Sequence, residues 1–228
     1  MNLSEAVRAR KGIGKGRWLL VAVFAGLVPI YAQHFDVTPL FGGRVGGSMK
    51  VQQEGQPPQA LAHLSDSATF GVAAGFRFSG EECEDCSVVE FRWMRQDTTL
   101  GLKEIPPVAT PLASSFGRTS VVLDHYLTDF SYEWETPVKA ARPFIMASLG
   151  AARLSTPASG STKFSFGLGA GVKVFPHRHW GLRFHAEWLP TAMQSAVQQV
   201  TCVSGCVIIL GGGLMNQFEF AVGPVFRN

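Results

Sequence analysis

The sequence predicts an all-β fold: an eight-stranded antiparallel up-and-down transmembrane β-barrel, preceded by a signal peptide. Three observations predict it. Apolar and polar residues alternate with a period of two, which is typical of β-strands with one apolar face. Long and short connections alternate between these segments. The N-terminal residues have the composition of an export signal.

The N-terminus carries a basic segment followed by a short apolar run. Residues 18–32, WLLVAVFAGLVPIYA, supply about fifteen mostly apolar residues, whereas a helix that spans a bilayer needs roughly twenty. A positive start, a short apolar stretch and a small final residue are typical of a secretory signal. We therefore expect a signal peptide at 1–32 and a barrel domain at 33–228, with an uncleaved N-terminal anchor as the alternative. The basic residues of the first segment are Arg8, Arg10, Lys11, Lys15 and Arg17.

The composition is that of a single domain without a strong net charge. The chain has 228 residues, a formal net charge of +3 and 16% charged residues. This length suits one domain. The positive excess lies mainly in residues 1–17, and it is too small to indicate nucleic-acid binding. We therefore expect no nucleic-acid partner.

Eight segments alternate in polarity, and they are long for strands of a soluble domain. In WGLRFHAEWLP, residues 180–190, Phe184 lies on the apolar face, whereas Arg183 and Glu187 lie on the polar face. Strands in soluble domains usually have about 5–6 residues, whereas a tilted membrane strand needs about 9–11. Their length therefore favours a membrane barrel. The segments cover residues 35–47, 69–78, 87–97, 120–134, 142–154, 162–175, 180–190 and 216–226.

The connections between the segments support the same fold. Those after the first, third and seventh segments have about twenty residues or more, whereas those after the second, fourth and sixth are tight. The connection after the fifth, STPASGS, is shorter than the other long ones and rich in turn residues. Outer-membrane barrels have short turns on the periplasmic side and longer loops outside. An even number of strands places both termini on the side of the short turns.

In such a barrel the apolar face of each strand contacts lipid and the polar face lines the lumen. The interior of an eight-stranded barrel is just wide enough for side chains to fill it. Because an unpaired buried charge is costly, we expect the lumenal charges, which have both signs in similar number, to pair with one another. The predicted network consists of Asp36, Arg44, Arg77, Glu90, Arg92, Lys173, Arg183, His185, Glu187 and Glu219.

Tryptophans mark the two expected membrane interfaces. Trp180 and Trp188 share one face, and their separation along the strand is roughly 26 Å at about 3.3 Å per residue. A tilt near 40° reduces this to about 20 Å of height, close to the apolar band of about 25 Å that aromatic girdles border. We expect Trp93, Trp180 and Trp188 to lie in these girdles. Core tryptophans of a soluble sandwich are the alternative.

The cysteines form two close pairs, Cys83 with Cys86 and Cys202 with Cys206. In an oxidising compartment an even number of cysteines favours disulfides. A zinc site fits poorly, because its cysteine pairs are usually separated by about 15–20 residues; redox chemistry is the other alternative. One pair lies in a short turn and the other in a long loop, on opposite sides of the membrane. We therefore predict the disulfides Cys83–Cys86 and Cys202–Cys206.

From about residue 35 to the C-terminus, the chain resembles the small outer-membrane β-barrel superfamily, which includes the OmpA-like transmembrane domain. The resemblance rests on the signal segment, the eight amphipathic segments and the stretches RPFIMASLGAAR, STKFSFGLGAGVKVF and VGPVFRN. It implies an integral outer-membrane protein that contacts outer-membrane lipid. It also implies insertion by the barrel assembly machinery, which in this family reads an aromatic residue at the end of the last strand. Here Phe226 is followed by Arg227 and Asn228, which departs from that pattern.

The expected function is structural or interactive: an integral barrel with a filled lumen, at most a narrow pore. We expect no catalytic residue, no cofactor and no metal. One alternative is a soluble lipocalin-like barrel that binds an apolar ligand. Another is a lipid-modifying enzyme that uses His125, Ser131 and Glu133, which share one face of segment 120–134. His125 and Ser131 would lie about 20 Å apart along the strand, whereas the contacts of a catalytic triad are near 3 Å.

Overall fold

The computed structural model describes residues 35–53, 60–78, 85–104, 118–137, 140–157, 160–193, 196–198, 208–210 and 213–228. The predicted signal peptide at 1–32 and the cysteines Cys83, Cys202 and Cys206 lie outside the described residues. Within the described ranges, no helix is long and apolar enough to cross a membrane.

The described strands form one sheet, and every pairing in it is antiparallel. Their bounds are β1 Phe35–Gly46, β2 Ser48–Gln53, β3 Ala60–Leu64, β4 Ser67–Arg77, β5 Asp85–Glu104, β6 Thr119–Trp134, β7 Ala141–Ser155, β8 Gly160–Val174, β9 Trp180–Met193, β10 Ala196–Gln198, β11 Ile208–Leu210 and β12 Gly213–Arg227.

Eight long strands close into a barrel. β1 pairs with β4 on one side and with β12 on the other, and the ring continues through β5, β6, β7, β8 and β9. The closing pair holds Asp36 opposite Arg227 and Arg44 opposite Glu219. Every other pair in the ring joins two long strands that are consecutive in the chain. This closed topology confirms the predicted eight-stranded antiparallel up-and-down barrel.

The two ends of the barrel differ. At one end, which we call the terminus end, the backbone N–H of Asn228 donates to the carbonyl oxygen of Phe35 at 3.1 Å. The short connections after β4, β6 and β8 also lie here. The opposite end, which we call the crown end, receives the connections that follow β2, β5, β7 and β10. Between the eight long strands, the connections at the crown end have 20, 14, 4 and 19 residues, whereas those at the terminus end have 7, 6 and 5. The three long connections therefore lie at the crown end, as the sequence predicted, and only the one after β7 is short.

Short strands extend the wall at the crown end. β2, β3, β10 and β11 join the outer part of β5 in the order β10-β11-β2-β3-β5, and we call this group the crown. β1 gives way to β2 at Gly46 and Gly47, whose φ angles of +86° and +100° lie in the left-handed region that favours glycine. The sequence predicted a plain connection here. Strands β2 and β3 lie within it, because backbone hydrogen bonding between strands does not require an apolar face.

Burial follows the predicted phase of the barrel strands. On β8, the Phe164 side chain is 55% exposed, whereas Lys173 is 1% exposed. On β9, Phe184 is 45% exposed and Arg183 is fully buried. The outside of the barrel is therefore apolar and the inside polar, which reverses the usual arrangement of a water-soluble protein.

β6 is the strand whose phase the sequence left least clear. Its odd-numbered residues face inward, so that His125, Asp129 and Glu133 are buried, whereas Tyr126 and Phe130 are exposed. The alternation is weak in the sequence because the inner face of this strand carries apolar residues as well as charged ones.

Candidate functional site

The lumen is the candidate functional site, because the polar and charged side chains of all eight barrel strands converge there. Each of the ten residues that the sequence placed in the lumenal network is buried. The structure adds Asp129, Glu133 and His125 from β6, and Arg227 lies at the terminus end with its side chain 13% exposed. The three β6 residues are all odd-numbered and therefore share one face of the strand. Had the sequence shown which face of β6 points inward, it would have predicted them as lumenal residues.

Arg92 of β5 lies at the centre of the network. Its Nε is 2.8 Å from Oδ2 of Asp129, its Nη2 is 2.5 Å from Oε2 of Glu187, and its Nη1 is 3.4 Å from Oε1 of Glu219. Nη2 also donates to the hydroxyl of Ser148 at 3.3 Å. One guanidinium therefore ties β5 to β6, β7, β9 and β12, and its fork of donors suits this arrangement better than a lysine would.

A second group lies on the crown side of Arg92. The guanidinium of Arg44 binds both Glu219, with Nε 3.0 Å from Oε2, and the ring of His125, with Nη1 2.8 Å from Nδ1. The other ring nitrogen of His125 is 3.5 Å from the hydroxyl of Thr191, which donates to Ser165 at 3.2 Å. This group joins β1, β6, β8, β9 and β12 across the lumen.

A third group fills the terminus end. The Nζ of Lys173 is 2.9 Å from Oε1 of Glu90, 2.6 Å from Oε1 of Glu133 and 3.6 Å from Oδ2 of Asp36. Arg183 donates to the second oxygen of Glu90, which thus binds two cations. The remaining pairs of this group join Arg77 to Glu133 and Asp36, and Arg227 to Asp36.

The three groups form one column with balanced formal charge among the described residues. Six carboxylates are matched by six guanidinium or ammonium groups when Arg227 is included. Burial of ions is tolerated when each is paired and hydrogen-bonded, whereas removal of one partner is strongly destabilising. We call these paired charges the ion-pair column. Its acids are Asp36, Glu90, Asp129, Glu133, Glu187 and Glu219, and its bases are Arg44, Arg77, Arg92, Lys173, Arg183 and Arg227.

One part of the column has side chains of the types that bind metals. His185, Glu187 and Glu219 offer ligand atoms that lie within 4.8 Å of one another. The guanidinium of Arg92 contacts all three, since its Nη1 is also 3.0 Å from Nε2 of His185. The cation that these groups hold is therefore a side chain of the protein itself.

The residues that the enzyme alternative would use do not contact one another in the manner of a triad. His125, Ser131 and Glu133 all face the lumen and not the outside of the barrel. His125 binds Arg44, the hydroxyl of Ser131 donates to the carbonyl oxygen of Val88 at 3.5 Å, and Glu133 pairs with the cations at the terminus end. Each therefore has a separate set of partners.

The three predicted girdle tryptophans lie on the outside of the barrel. Trp180 is at the terminus end and is 43% exposed. Trp93 and Trp188 lie towards the crown end, where each makes an edge-to-face contact with a phenylalanine, Phe70 at 5.9 Å and Phe166 at 6.1 Å between ring centroids. The tryptophans thus occupy two levels of the outer wall.

Cys86 is the one cysteine among the described residues. It is buried and disulfide-bonded, and Nη1 of Arg142 lies 3.7 Å from its sulfur. Because Cys83, Cys202 and Cys206 lie outside the described residues, the pairings Cys83–Cys86 and Cys202–Cys206 stay predictions.

No protein-family model and no curated protein matches this chain. Among solved structures, it is similar to Neisserial surface protein A, with 12% identity, a TM-score of 0.51, and coverage of 85% of this chain and 96% of that one. The N-terminal β-barrel domain of OprF from Pseudomonas aeruginosa matches with 12% identity, a TM-score of 0.44, and coverage of 86% and 98%. Ail, the attachment invasion locus protein of Yersinia pestis, matches with 12% identity, a TM-score of 0.36, and coverage of 84% and 98%.

Proposed function

Because this chain has the fold of the small OmpA-like outer-membrane β-barrels, we propose that it is an integral outer-membrane protein with a closed lumen and a structural or interaction role. The observation that carries the proposal is the reversed polarity of the barrel. The exterior is apolar around its circumference, and the ion-pair column fills the interior. A wall of this kind is stable in lipid, whose acyl chains contact the outward side chains.

The outer wall supports a membrane location. Between the two tryptophan levels it exposes large side chains such as Phe41 at 60%, Phe91 at 59% and Phe220 at 56%. A soluble monomer rarely exposes contiguous apolar patches of more than a few hundred Å². In a bilayer the same surface needs no partner protein.

The filled interior supports a structural role and not a wide pore. An eight-stranded barrel has room for little more than its own side chains. Here the Arg92 guanidinium spans the lumen and binds carboxylates on three strands. The same filling disfavours the lipocalin-like alternative, because such a barrel needs an apolar cavity for its ligand.

Export, orientation and partners form the rest of the proposal. Residues 1–32 direct the chain out of the cytosol as a cleaved signal peptide. The barrel assembly machinery inserts it, lipid surrounds the wall, and the terminus end faces the periplasm. The long connections and the crown then face outward, where they are available to partners.

Fractionation of cells that express the full chain tests the proposal. We expect the mature protein to stay in the envelope after a high-salt wash and to migrate faster on a gel before heating than after heating. A mature chain found in the soluble periplasmic fraction without detergent would overturn the proposal and favour the lipocalin-like alternative. Recording in planar bilayers tests the closed lumen separately, since a large, steady conductance contradicts it.

A further inference from the structure

An apolar group of side chains crosses the lumen at the crown end, beyond the ion-pair column. It is contiguous, and its members are at most 6% exposed. We call it the apolar layer. Its large members are Met49, Leu64, Leu123, Met193 and Met215.

The apolar layer receives side chains from almost the whole circumference. Its large members come from β2, β3, β6, β9 and β12, while Leu100 of β5 and Leu154 of β7 pack against it. β8 contributes no large apolar side chain at this level. There the half-buried Lys163 stands opposite Ala152 of the layer.

Polar side chains begin directly beneath the apolar layer. One inward step along β6 leads from Leu123 to His125, and one step along β12 leads from Met215 to Gln217. Along β9 the step leads from Met193 to Thr191. All three polar residues are fully or almost fully buried. On three separate strands, the change from apolar to polar thus occurs within one inward step of the layer.

The terminus end is closed differently. There the guanidinium of Arg227 lies over the ring of Phe175, with 3.8 Å between its Cζ and the ring centroid, and pairs with Asp36. Polar groups therefore reach solvent at the terminus end, whereas at the crown end hydrocarbon and thioether groups cross the lumen, with the half-buried Lys163 beside them on β8.

We propose that the apolar layer is the barrier that keeps water and ions on the crown side out of the ion-pair column. The inference rests on the proposed function as a membrane barrel. It assigns the closing of the lumen against water to the apolar layer. Hydrophobic constrictions exclude water because their walls offer no hydrogen bonds, and channels use this effect to close. Paired charges alone make a weaker seal, since each can hydrate and exchange partners.

The apolar layer also explains how the ion-pair column persists beside an aqueous medium. Ion pairs are weakened by a high dielectric constant and by salt. His125 lies one step beneath Leu123 and binds Arg44, so water entering from the crown end would reach this part of the column early. With the layer intact, their contacts stay in a region of low dielectric constant.

A buried reporter cysteine tests the proposal. Thr191→Cys places a thiol one step beneath Met193, at a position that is fully buried. The full mature chain is reconstituted in liposomes with the crown end outward, and a small charged methanethiosulfonate reagent is added outside. The chain without the reporter, labelled in parallel, gives the background.

Polar substitutions in the layer should admit the reagent. Met215→Ser and Leu123→Ser, each combined with the reporter, are expected to raise its labelling rate about tenfold or more, because a hydroxyl hydrates the constriction. Met215→Leu keeps the layer apolar and should leave the rate unchanged. Ser148→Ala, which removes two hydrogen bonds of the column but leaves the layer intact, should also leave it unchanged.

Equal labelling rates in Met215→Ser and Met215→Leu would overturn the inference, as would fast labelling of the reporter when the layer is intact. Only variants that show heat-modifiable migration are compared, and Ala152→Ser supplies a milder change if the larger ones fail to fold. The proposed function fails in a different way, since the reporter chain with an intact layer would then not insert into liposomes.

Discussion

Arg92 and Glu187 face each other across the lumen, with Nη2 of the guanidinium 2.5 Å from Oε2 of the carboxylate. Their strands, β5 and β9, are not neighbours in the sheet. The contact therefore joins opposite parts of the wall, which the backbone ladder cannot do. Both side chains are fully buried, so solvent does not weaken the pair.

Arg92→Met should destabilise the barrel strongly. The substitution leaves the carboxylates of Asp129, Glu187 and Glu219 without their shared cation, and breaking a buried pair in this way costs about 3–5 kcal/mol. The free energy of unfolding, measured by urea titration of the protein in lipid vesicles, checks the loss.

The matched control is Arg95→Met, on the same strand but on the outer wall. Arg95 pairs with Asp97 at 3.2 Å, and the two side chains are 37% and 62% exposed. An exposed pair contributes at most about 1 kcal/mol. Equal losses in the two variants would show that the ion-pair column does not stabilise the fold.

Gly167→Ala should weaken the pair of Arg92 and Glu187 by crowding the Glu187 side chain. A Cβ at this position would lie 2.2 Å from Oε1 of Glu187, an oxygen that accepts a hydrogen bond from Ser148. Glu187 would have to move away from Arg92, and overpacking of this kind costs about 1–3 kcal/mol.

The control for Gly167 is Gly43→Ala on β1, where the nearest atom to an added Cβ is 4.0 Å away. We expect this variant to unfold at nearly the urea concentration of the unmodified chain. If both alanine variants unfold at the same urea concentration, then the space beside Glu187 is not the reason for a glycine at position 167.

The alternating polarity of the sequence predicted which face of the strands points out of the barrel, because one period of two holds along each long strand. Such patterns do not reveal which charges meet across the lumen. Arg92 contacts Glu187 and Glu219, whose strands β9 and β12 do not neighbour β5, through the closure of the barrel, and no local spacing encodes these contacts.

The crown and the apolar layer were not predictable for a related reason. β5 spans Asp85–Glu104, whereas the sequence predicted a strand only at 87–97. From Leu100 onwards, pairing with β3 continues without an apolar outer face, so the alternation stops while the strand does not. Met49 and Met215 are 166 positions apart in the sequence, and only the closed ring brings them into one layer.

Non-reducing peptide mapping should find two disulfides, Cys83–Cys86 and Cys202–Cys206. Cys86 is the second residue of β5, at the terminus end. Cys202 and Cys206 lie in the sequence between β10 and β11, two strands that belong to the crown. The Cα atoms of a disulfide are at most about 7 Å apart, so a bridge cannot join the two ends. A peptide that links Cys86 to Cys202 or Cys206 would contradict the predicted sidedness.

Phe184→Arg should destabilise the barrel in a bilayer by about 2–4 kcal/mol, the cost of a cation on the lipid face at the midplane. Phe184 lies midway between Trp180 and Trp188 on the outer face of β9, where the proposed membrane location surrounds it with lipid.

Phe78→Arg is the matched control. Phe78 is 72% exposed just beyond β4 at the terminus end, where the same substitution costs at most about 1 kcal/mol. Unfolding by urea in vesicles measures both, and a larger loss at Phe78 than at Phe184 would mean that the bilayer does not lie between the two tryptophan levels.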